Sequence, residues 1–487
     1  MHELALIPLL KATVETVYMV FISSFISIVL GLILGSFLFI TAKKQTLENK
    51  WAHQSLGLIV NVTRSIPFII LMISIIPFTH LLIGTTIGTN AAIVPLTIAA
   101  ISFFARVCEN TLAEVPFGLI EAANSMGATT WQIVTKILIP ESLPSLIRGA
   151  TLTIIGLIGY SAMAGVVGGG GLGELAINYG YQRFNVVVML ETVIILIVMV
   201  QLIQIIGDRL AKQRRVKILL IACIGLWVAC IAYQVWPLAY QKDNTLRVGI
   251  MSGWPEEVMK VAGEVARKEY GINLQIVTFS DYVQPNTALD NHSIDANIFQ
   301  HAPYLEAQVK AHQYKLSVLA KTFVYPMGFY SQKMSNLSQL KMGSMVAIPN
   351  DPSNGGRALL ILEKIGIIKL KAGIGTLATV SDIISNTYHL KFIMLDAAQL
   401  PRVLKDADLV AITNDFVNSS GLSIKQALVK EGSDSPYANL IVVRTQDKEN
   451  PVWKKLVAVM HSQPVLLETE KIFPNGAAIP AWHVNAT

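Results

Sequence analysis

Long apolar runs separated by short polar breaks fill the chain up to about Tyr240, and beyond it short apolar words are embedded in charge. A spanning helix needs ~20 apolar residues, and the first part offers stretches near 14–40, 57–79, 90–108, 146–167, 186–206 and 218–238. One connection, Arg106 to Ile147, is long. After Leu246 the words LRVGI, LQIVTF, ANIFQ, MVAIP, KFIML, LVAIT and NLIVV are short and β-rich, and helical patterns separate several of them. Pro255–Tyr270 is predicted to be such a helix: Pro255 suits a first turn, Glu256 and Glu257 follow, Val258, Val261, Ala262 and Val265 share a face, and Gly271 stops it. Alternating strands and helices predict parallel sheets covered on both faces, and the length suits two lobes around a ligand cleft. The expected fold class is multi-domain: an all-α transmembrane part of five core spans plus one anchor span, then a two-lobed α/β part. The expected boundaries are 1–212, 213–244 for the sixth span and linker, and 245–487, with one lobe at about 245–323 and 436–487 and the other at about 327–432.

Charge placement orients the first part. Lys43, Lys44 and Lys50 follow the first span, Arg106, Lys136 and Arg148 belong to the long connection, and Lys212, Arg214, Arg215 and Lys217 follow the fifth span. The opposite loops hold only Lys11 and Arg183. The positive-inside rule then puts the N-terminus outside, the long connection in the cytoplasm and, through the sixth span, the second part outside. An average of 53% hydrophobic and 14% charged residues mixes two solvents, and the net charge of +6 sits beside apolar segments, which argues against a nucleic-acid partner. The three cysteines, Cys108, Cys223 and Cys230, lie in or beside apolar segments, so the second part has neither a disulfide framework nor a cysteine metal site. No basic n-region of a cleaved signal peptide precedes the first span. The nine histidines are scattered, and no Ser-His-Asp, Cys-His or metal-spaced set stands out, so no metal site and no catalysis by this chain are expected.

The long connection carries EAANSMGATTWQIVTKILIPESLP, Glu121 to Pro144. Ala122, Ala123 and Gly127 allow a short helix to approach a partner closely, Glu121 offers a charge near its start, and Gly127 ends or bends it. Pro140 and Pro144 are expected to interrupt the return path and leave a shaped projection. The glycine run Gly168–Gly171, then Gly173, lacks the Lys-Ser/Thr of a phosphate cradle and reads as a flexible or tightly packed helix end. Arg64 reads as a snorkelling cation at the entrance of the second span.

In the second part, candidate binding groups fall at strand ends and helix starts. Phe299 and His301 share one strand face in IFQHAPYL, with Tyr304 beyond. Asn354 and Arg357, three apart, share a helical face beside Gly355 and Gly356. An Arg at a helix N-terminus opposes the dipole unless an anion sits there, and a ligand carboxylate held by a bidentate pair would resolve the conflict; the alternative is a surface Arg paired with an acid such as Asp351. Tyr282 and Tyr304 taken singly read equally as pocket or as packing.

The spacing of Glu121-Ala122-Ala123, Gly127 and Ile137-x-Ile139-Pro140 resembles the coupling loop of binding-protein-dependent ABC importer permeases, with Ile139 where the family has Leu. GYSAMAGVVGGGGLGELAINYGYQRF (Gly159–Phe184) and RSIPFIIL (Arg64–Leu71) resemble their methionine-importer subgroup. DYVQPNTALDNHSIDANIFQHAPYL (Asp281–Leu305), AIPNDPSNGGRALLILEKIGII (Ala347–Ile368), DAAQLPRVLKDADLVAI and SPYANLIVVR resemble methionine-binding lipoproteins, a likeness running from Leu246 to Trp482. The resemblance implies a periplasmic-binding-protein fold in which Tyr282, Phe299, His301 and Tyr304 line an aromatic pocket for a thioether and Asn354 and Arg357 hold an α-carboxylate. One site departs: where the family has Asn, then a small residue, then Asn or Thr and Tyr, this chain reads Thr413-Asn414-Asp415-Phe416. Either Asn414 takes over the amide's role or Asp415 accepts from the substrate ammonium.

The resemblance implies an inner-membrane subunit of an ATP-driven methionine importer carrying its own extracytoplasmic, periplasmic binding domain, with D- or L-methionine or a close analogue as substrate. The chain has no Walker A sequence, so ATP belongs to a separate ATP-binding subunit docking on Glu121, Ala122, Ala123, Gly127, Ile137 and Pro140, two copies on a homodimer of this chain in the bilayer. The alternative class is a ligand-gated channel or membrane sensor with an amino-acid-binding outer domain, for which the cytoplasmic parts are short. At the junction, Leu220-Ile221-Ala222-Cys223 fits a lipoprotein cleavage box, with a weaker match at Cys230, but the apolar run continues to Trp236, favouring an intact sixth helix.

Overall fold

The computed structural model describes residues 6–166, 168–181, 185–212, 244–253, 255–417, 420–432 and 435–482. The sixth span expected at 218–238, the basic residues Arg214, Arg215 and Lys217, and Cys223 and Cys230 lie outside the described residues. The chain divides into two compact units.

The first unit is helical: α1 (Leu6–Thr41), α2 (Lys50–Ser65), α3 (Phe68–Ser74), α4 (Ile76–Ile83), α5 (Thr89–Ala113), α6 (Phe117–Ser125), α7 (Thr130–Ile133), α8 (Ile139–Val166), α9 (Gly171–Leu175) and α10 (Val186–Lys212). Among the described residues, four helices are long and apolar enough to cross a membrane: Pro8–Thr41, Thr89–Ala113, Thr130–Gly165 and Val186–Lys212. The second expected span, 57–79, is not one rod, because α2 and α3 are bent by 107°. Pro67 is the cause: it forces Ile66 into extended backbone (φ −79°, ψ 123°) and cannot continue the helix. Arg64, exposed at the end of α2, lays its guanidinium 5.8 Å from the Phe103 ring centroid.

The return path after the long connection also differs from expectation. Pro140 and Pro144 do not interrupt it; the helix runs on from Thr130 through a π turn at Val134–Leu138 into α8, with Pro144 inside. The wide i→i+5 turn opens the spacing where the Pro140 ring would meet the carbonyl four residues back.

Helices α1 and α5 pack most closely where α1 is smallest. A Cβ at Gly35 would lie 2.4 Å from the Ala105 carbonyl oxygen and 2.6 Å from Cys108 Cβ, and Gly31, one turn earlier, meets the Ala105 amide at 3.2 Å. This is the small-xxx-small packing that lets membrane helices bring their backbones together.

The second unit contains two mixed sheets. Its strands are β1 (Thr245–Met251), β2 (Asn273–Phe279), β3 (Ala296–Asn297), β4 (Leu316–Val324), β5 (Gly328–Tyr330), β6 (Met345–Pro349), β7 (Ile368–Leu370), β8 (Ile383–Asn386), β9 (Lys391–Leu395), β10 (Leu409–Ile412), β11 (Val429–Lys430), β12 (Ala438–Arg444) and β13 (Ile479–Pro480). Its helices are α11 (Pro255–Tyr270), α12 (Gln284–Asp290), α13 (Ala302–His312), α14 (Pro352–Lys364), α15 (Asn414–Val417), α16 (Val452–Met460) and α17 (Gln463–Ile472). One sheet has the order β13-β4-β12-β3-β1-β2, the other β11-β5-β10-β6-β9. Helix α11 spans the residues its pattern predicts and buries Val258, Met259, Ala262, Val265 and Ala266 against the first sheet's core.

The expectation of parallel sheets holds only for one side of each, the side that ends at β2 in the first sheet and at β9 in the second. β1 pairs parallel with β2 and β3, and β6 with β9 and β10, but β4 and β12 are antiparallel to each other, as β5 is to β10 and β11. The reason is topological: β4 carries the chain out of the first sheet and β12 brings it back, and strands of opposite direction pair side by side without a crossover helix. The chain therefore passes between sheets twice, at 325–327 and at 431–437.

Gly35→Val should lower the melting temperature of the detergent-solubilised chain, at a cost of about 1–3 kcal/mol for forcing α1 from α5. Gly156→Ala, whose Cβ meets nothing within 4 Å, should leave it unchanged.

Candidate functional site

In both sheets the central strands end at the same cavity. Residues after β2 (Tyr282), after β3 (Phe299, Gln300, His301, Tyr304), in the first crossing (Tyr325), at the start of α14 (Asn354, Arg357), after β10 (Thr413, Asn414, Asp415) and on β12 (Asn439) enclose an empty volume of about 350 Å³. It lies at the strand ends where open α/β sheets bind ligands. All seven candidates, Tyr282, Phe299, His301, Tyr304, Asn354, Arg357 and Asn414, line it.

One wall is aromatic. Tyr282 lies 6.1 Å from Phe299, 6.1 Å from Tyr304 and 6.0 Å from Phe416 between ring centroids, and Phe299 meets Tyr304 edge-on at 5.9 Å. The Tyr304 hydroxyl donates to the Tyr282 carbonyl at 2.7 Å, which locks the pair. Phe299 and His301 do not share a regular strand, because β3 ends at Asn297. They sit in the turn that becomes the start of α13. Gln300 between them is fixed by a buried amide network with Asn286 and Asn297, at 2.6–3.0 Å.

His301 belongs to the polar side. Its Nδ1 accepts the Tyr304 N–H at 3.3 Å as the N-cap of α13, so its Nε2 carries the proton and donates to Asn354 Oδ1 at 3.1 Å. Burial, aided by Arg357, pushes its pKa down to about 3, so it is neutral throughout the physiological range. Asn354 is aimed by Asp351, the N-cap of α14, which accepts its backbone N–H at 2.8 Å and its side-chain Nδ2 at 3.1 Å. Burial raises the Asp351 carboxyl above its ordinary value despite these donors.

Arg357 is 3% exposed, not a surface residue, and its anion is not Asp351. Glu431 takes its fork, with Nε donating to Oε1 at 2.6 Å and Nη2 to Oε2 at 2.5 Å, and Nη2 also donates to the Tyr325 carbonyl at 2.9 Å. The expected bidentate grip on a ligand carboxylate is therefore corrected: the bidentate edge is occupied by the chain itself. Nη1, whose bond to Asn354 Oδ1 is long at 3.5 Å, is the donor left toward the cavity. The guanidinium carbon also sits 4.4 Å from the Tyr437 ring centroid. Sequence reasoning missed Glu431 because KEGSD reads as a solvated loop and its partner lies 74 residues away.

Facing these groups, Asp415 is 8% exposed and accepts from the Tyr282 hydroxyl at 3.1 Å. With the tyrosine proton directed there, Thr413 Oγ1 donates to the same hydroxyl at 3.2 Å. Burial pushes the Asp415 carboxyl up to about 6, outweighing the Tyr282 bond and Arg357.

In the first unit, the loop residues take a defined shape. Glu121 and Ala122 are exposed and Ala123 is buried. Gly127 has φ +78°, and the Ala128 N–H bonds the Ala123 carbonyl while the Gly127 N–H bonds that of Asn124, a Schellman end to α6 that a Cβ would strain. Thr129 then caps α7 in a capping box with Gln132. Ile137 is half-buried in the π turn and Pro140 is exposed.

Because the native carboxyl of Asp415 binds its proton more tightly than an unfolded one, its contribution to stability is complete below about pH 4 and lost as pH rises through 6. The loss amounts to about 3 kcal/mol. Asp415→Asn should make the ligand-free fragment 244–487 more stable than the parent above pH 6.5, with the difference closing toward pH 4, as read by urea unfolding across that range.

A family model described as binding-protein-dependent transport system inner membrane component matches residues 27–216, and one described as NlpA lipoprotein matches residues 246–482. The first half is 56% identical over 202 residues to the "Probable D-methionine transport system permease protein MetI" of Pasteurella multocida, covering 42% of this chain and 93% of that protein. The second is 44% identical over 264 residues to the D-methionine-binding lipoprotein MetQ of Salmonella typhimurium, covering 54% of this chain and 97% of that protein. A crystal structure of the methionine binding protein MetQ, 44% identical, covers 50% of this chain and all of that one, with a TM-score of 0.49. The chain thus belongs to the binding-protein-dependent transport permeases through its first half and to the NlpA lipoprotein family through its second.

Proposed function

We propose that this chain is the inner-membrane subunit of an ATP-driven importer of methionine or a close analogue, and that it provides both the translocation pathway and the binding domain feeding it. The observation that carries the reading is the cavity at the two sheets' strand ends. It sets a rigid aromatic wall of Tyr282, Phe299 and Tyr304 against the polar groups Asn354 and Arg357. Aromatic rings offer a thioether favourable soft contacts, and the Arg357 Nη1 offers a donor to a carboxylate. The names of the relatives, D-methionine permease and D-methionine-binding lipoprotein, support the same substrate class.

In this reading ATP is hydrolysed by a separate ATP-binding subunit. Two copies dock on a homodimer of this chain through Glu121, Ala122, Ala123, Gly127, Ile137 and Pro140, and no cofactor binds the chain itself. The loop suits such docking: α6 exposes Glu121 and Ala122, and Met126 and Trp131 are exposed beside them. The positive-inside pattern supports a cytoplasmic loop and a periplasmic binding domain.

Arg357→Ala should weaken L-methionine binding by the full chain in lipid nanodiscs at least 100-fold in calorimetry, and Phe299→Ala by about tenfold. Unchanged affinity in both would overturn the site. Glu121→Ala should lower ATP-dependent methionine uptake at least tenfold in vesicles reconstituted with the ATP-binding subunit; wild-type uptake would remove Glu121 from the docking surface.

A further inference from the structure

Arg64 is a cation in an apolar place. It is exposed, and among the described residues it makes no hydrogen bond and no ion pair. Its guanidinium lies only over the Phe103 ring, 5.8 Å from the centroid. Phe103 stands about 15 Å from the nearer end of the 25-residue helix α5, by the rise of an α-helix. Just beyond Arg64, Phe68 stacks on Tyr160 at 4.7 Å between centroids and joins the buried cluster of Met72, Leu96, Ala100 and Leu157. Arg64 therefore sits deep in the span, not at the entrance where a snorkelling side chain would end. Ionisable groups at such depth face a bundle interior or a water-filled cavity, because hydrocarbon penalises them.

The backbone points the same way independently. Directly after Arg64 the apolar run breaks, with α2 and α3 meeting at 107°. Ile66 is extended there, and Pro67 has no N–H to continue the ladder. Ser65 and Pro67 are exposed at this break. Irregular backbone at membrane depth is tolerated inside protein or along a water-filled cavity, not against lipid. A cavity open to water satisfies the bare cation and the bare break together.

The exposed face offers donors. Asn61 is three residues before Arg64 and so shares its helical face. Its Oδ1 accepts from Arg106 Nη2 at 2.8 Å, which fixes Nδ2 as a donor without a partner among the described residues. Arg106 is engaged elsewhere: Nη1 donates to Glu109 at 2.6 Å, and Nη2 also reaches the Gly57 carbonyl at 3.4 Å. The Ser65 hydroxyl spends its proton on the Asn61 carbonyl at 2.8 Å. Arg64 and Asn61 thus present a guanidinium and an amide N–H to the open side, the donor set that takes a carboxylate or another oxyanion.

We propose that Arg64, with Asn61, lines an aqueous translocation pathway and receives the carboxylate of the amino acid in transit. This role rests on the reading of the chain as an amino-acid importer and adds where the pathway runs and what in it meets the substrate's negative end. It is a second anion site, in the first unit, apart from Arg357. An anionic lipid headgroup presents the same chemistry, and the experiment separates the two.

In a background of Cys108→Ala, Cys223→Ala and Cys230→Ala, Arg64→Cys is introduced into the full chain assembled with the ATP-binding subunit in lipid nanodiscs, where both faces meet a reagent. Two water-soluble methanethiosulfonates, one carrying trimethylammonium and one sulfonate, then add a cation or an anion to the new thiol. ATP-dependent methionine uptake is read after transfer to vesicles. Arg64→Cys should lower uptake about tenfold or more. Both reagents should reach the thiol, and only the cationic one should restore most of the lost uptake. A thiol that neither reagent reaches, or uptake indifferent to the sign added, overturns the proposal. The deficit should be equal in phosphatidylcholine vesicles and in vesicles containing phosphatidylglycerol; a deficit confined to the latter assigns Arg64 to a headgroup and overturns the pathway role. Should Arg64→Cys not fold, Asn61→Cys on the same face decides by the same labelling, and an unreachable thiol there overturns the proposal. Background complex that takes up no methionine overturns the substrate reading and this role together.

Discussion

The binding half depends on one buried ion pair. Arg357, on the first turns of α14, meets Glu431 at the start of the chain's return from the second sheet to the first, and through Nη2 also holds the Tyr325 carbonyl on the outgoing crossing. Glu431 in turn accepts the Met327 N–H at 3.0 Å and the Ser435 hydroxyl at 3.3 Å. One guanidinium and one carboxylate therefore fasten both crossings to the helix that faces the cavity. Losing one partner of such a pair leaves a bare charge in the core, a loss of about 3–5 kcal/mol. It would be felt at the two places where, among the described residues, backbone joins the lobes.

Around that pair the cavity lining divides into distinct parts. The side near Arg357 carries a cation and a neutral imidazole, whose burial suppresses the second positive charge that would otherwise repel the first. The far side carries acceptors on residues 413–415. Between them lies an aromatic wall that is polar only at the Tyr282 and Tyr304 hydroxyls, both tied to protein.

Much of this was legible in the chain, and the failures have physical causes. Helix α11 announced itself through Pro255, its acidic first turn and Gly271, and β6 and β9 through uninterrupted apolar words. The cavity-lining residues were legible because they fall at strand ends and helix starts. Strand β4 is hard to read because LSVLAKTFV mixes a lysine and a serine into a strand that is fully buried only at its end. The break at Pro67 was hidden inside a run apolar enough to span, since hydropathy registers composition and not the missing N–H. Pro140 erred the other way, marking an interruption that a π turn absorbed. Glu431 could not be found locally at all: its role exists only once the two crossings are side by side.

The lining residues differ in how much else they hold up. His301 caps a helix, Arg357 fastens the crossings, and Asn354 is gripped by the cap of α14, so a change in any of them disturbs the scaffold along with the ligand. Asp415 has one side-chain bond and supports nothing else through it. A site divided in this way can have its selectivity retuned at the strand end after β10 without reopening the question of whether the domain folds.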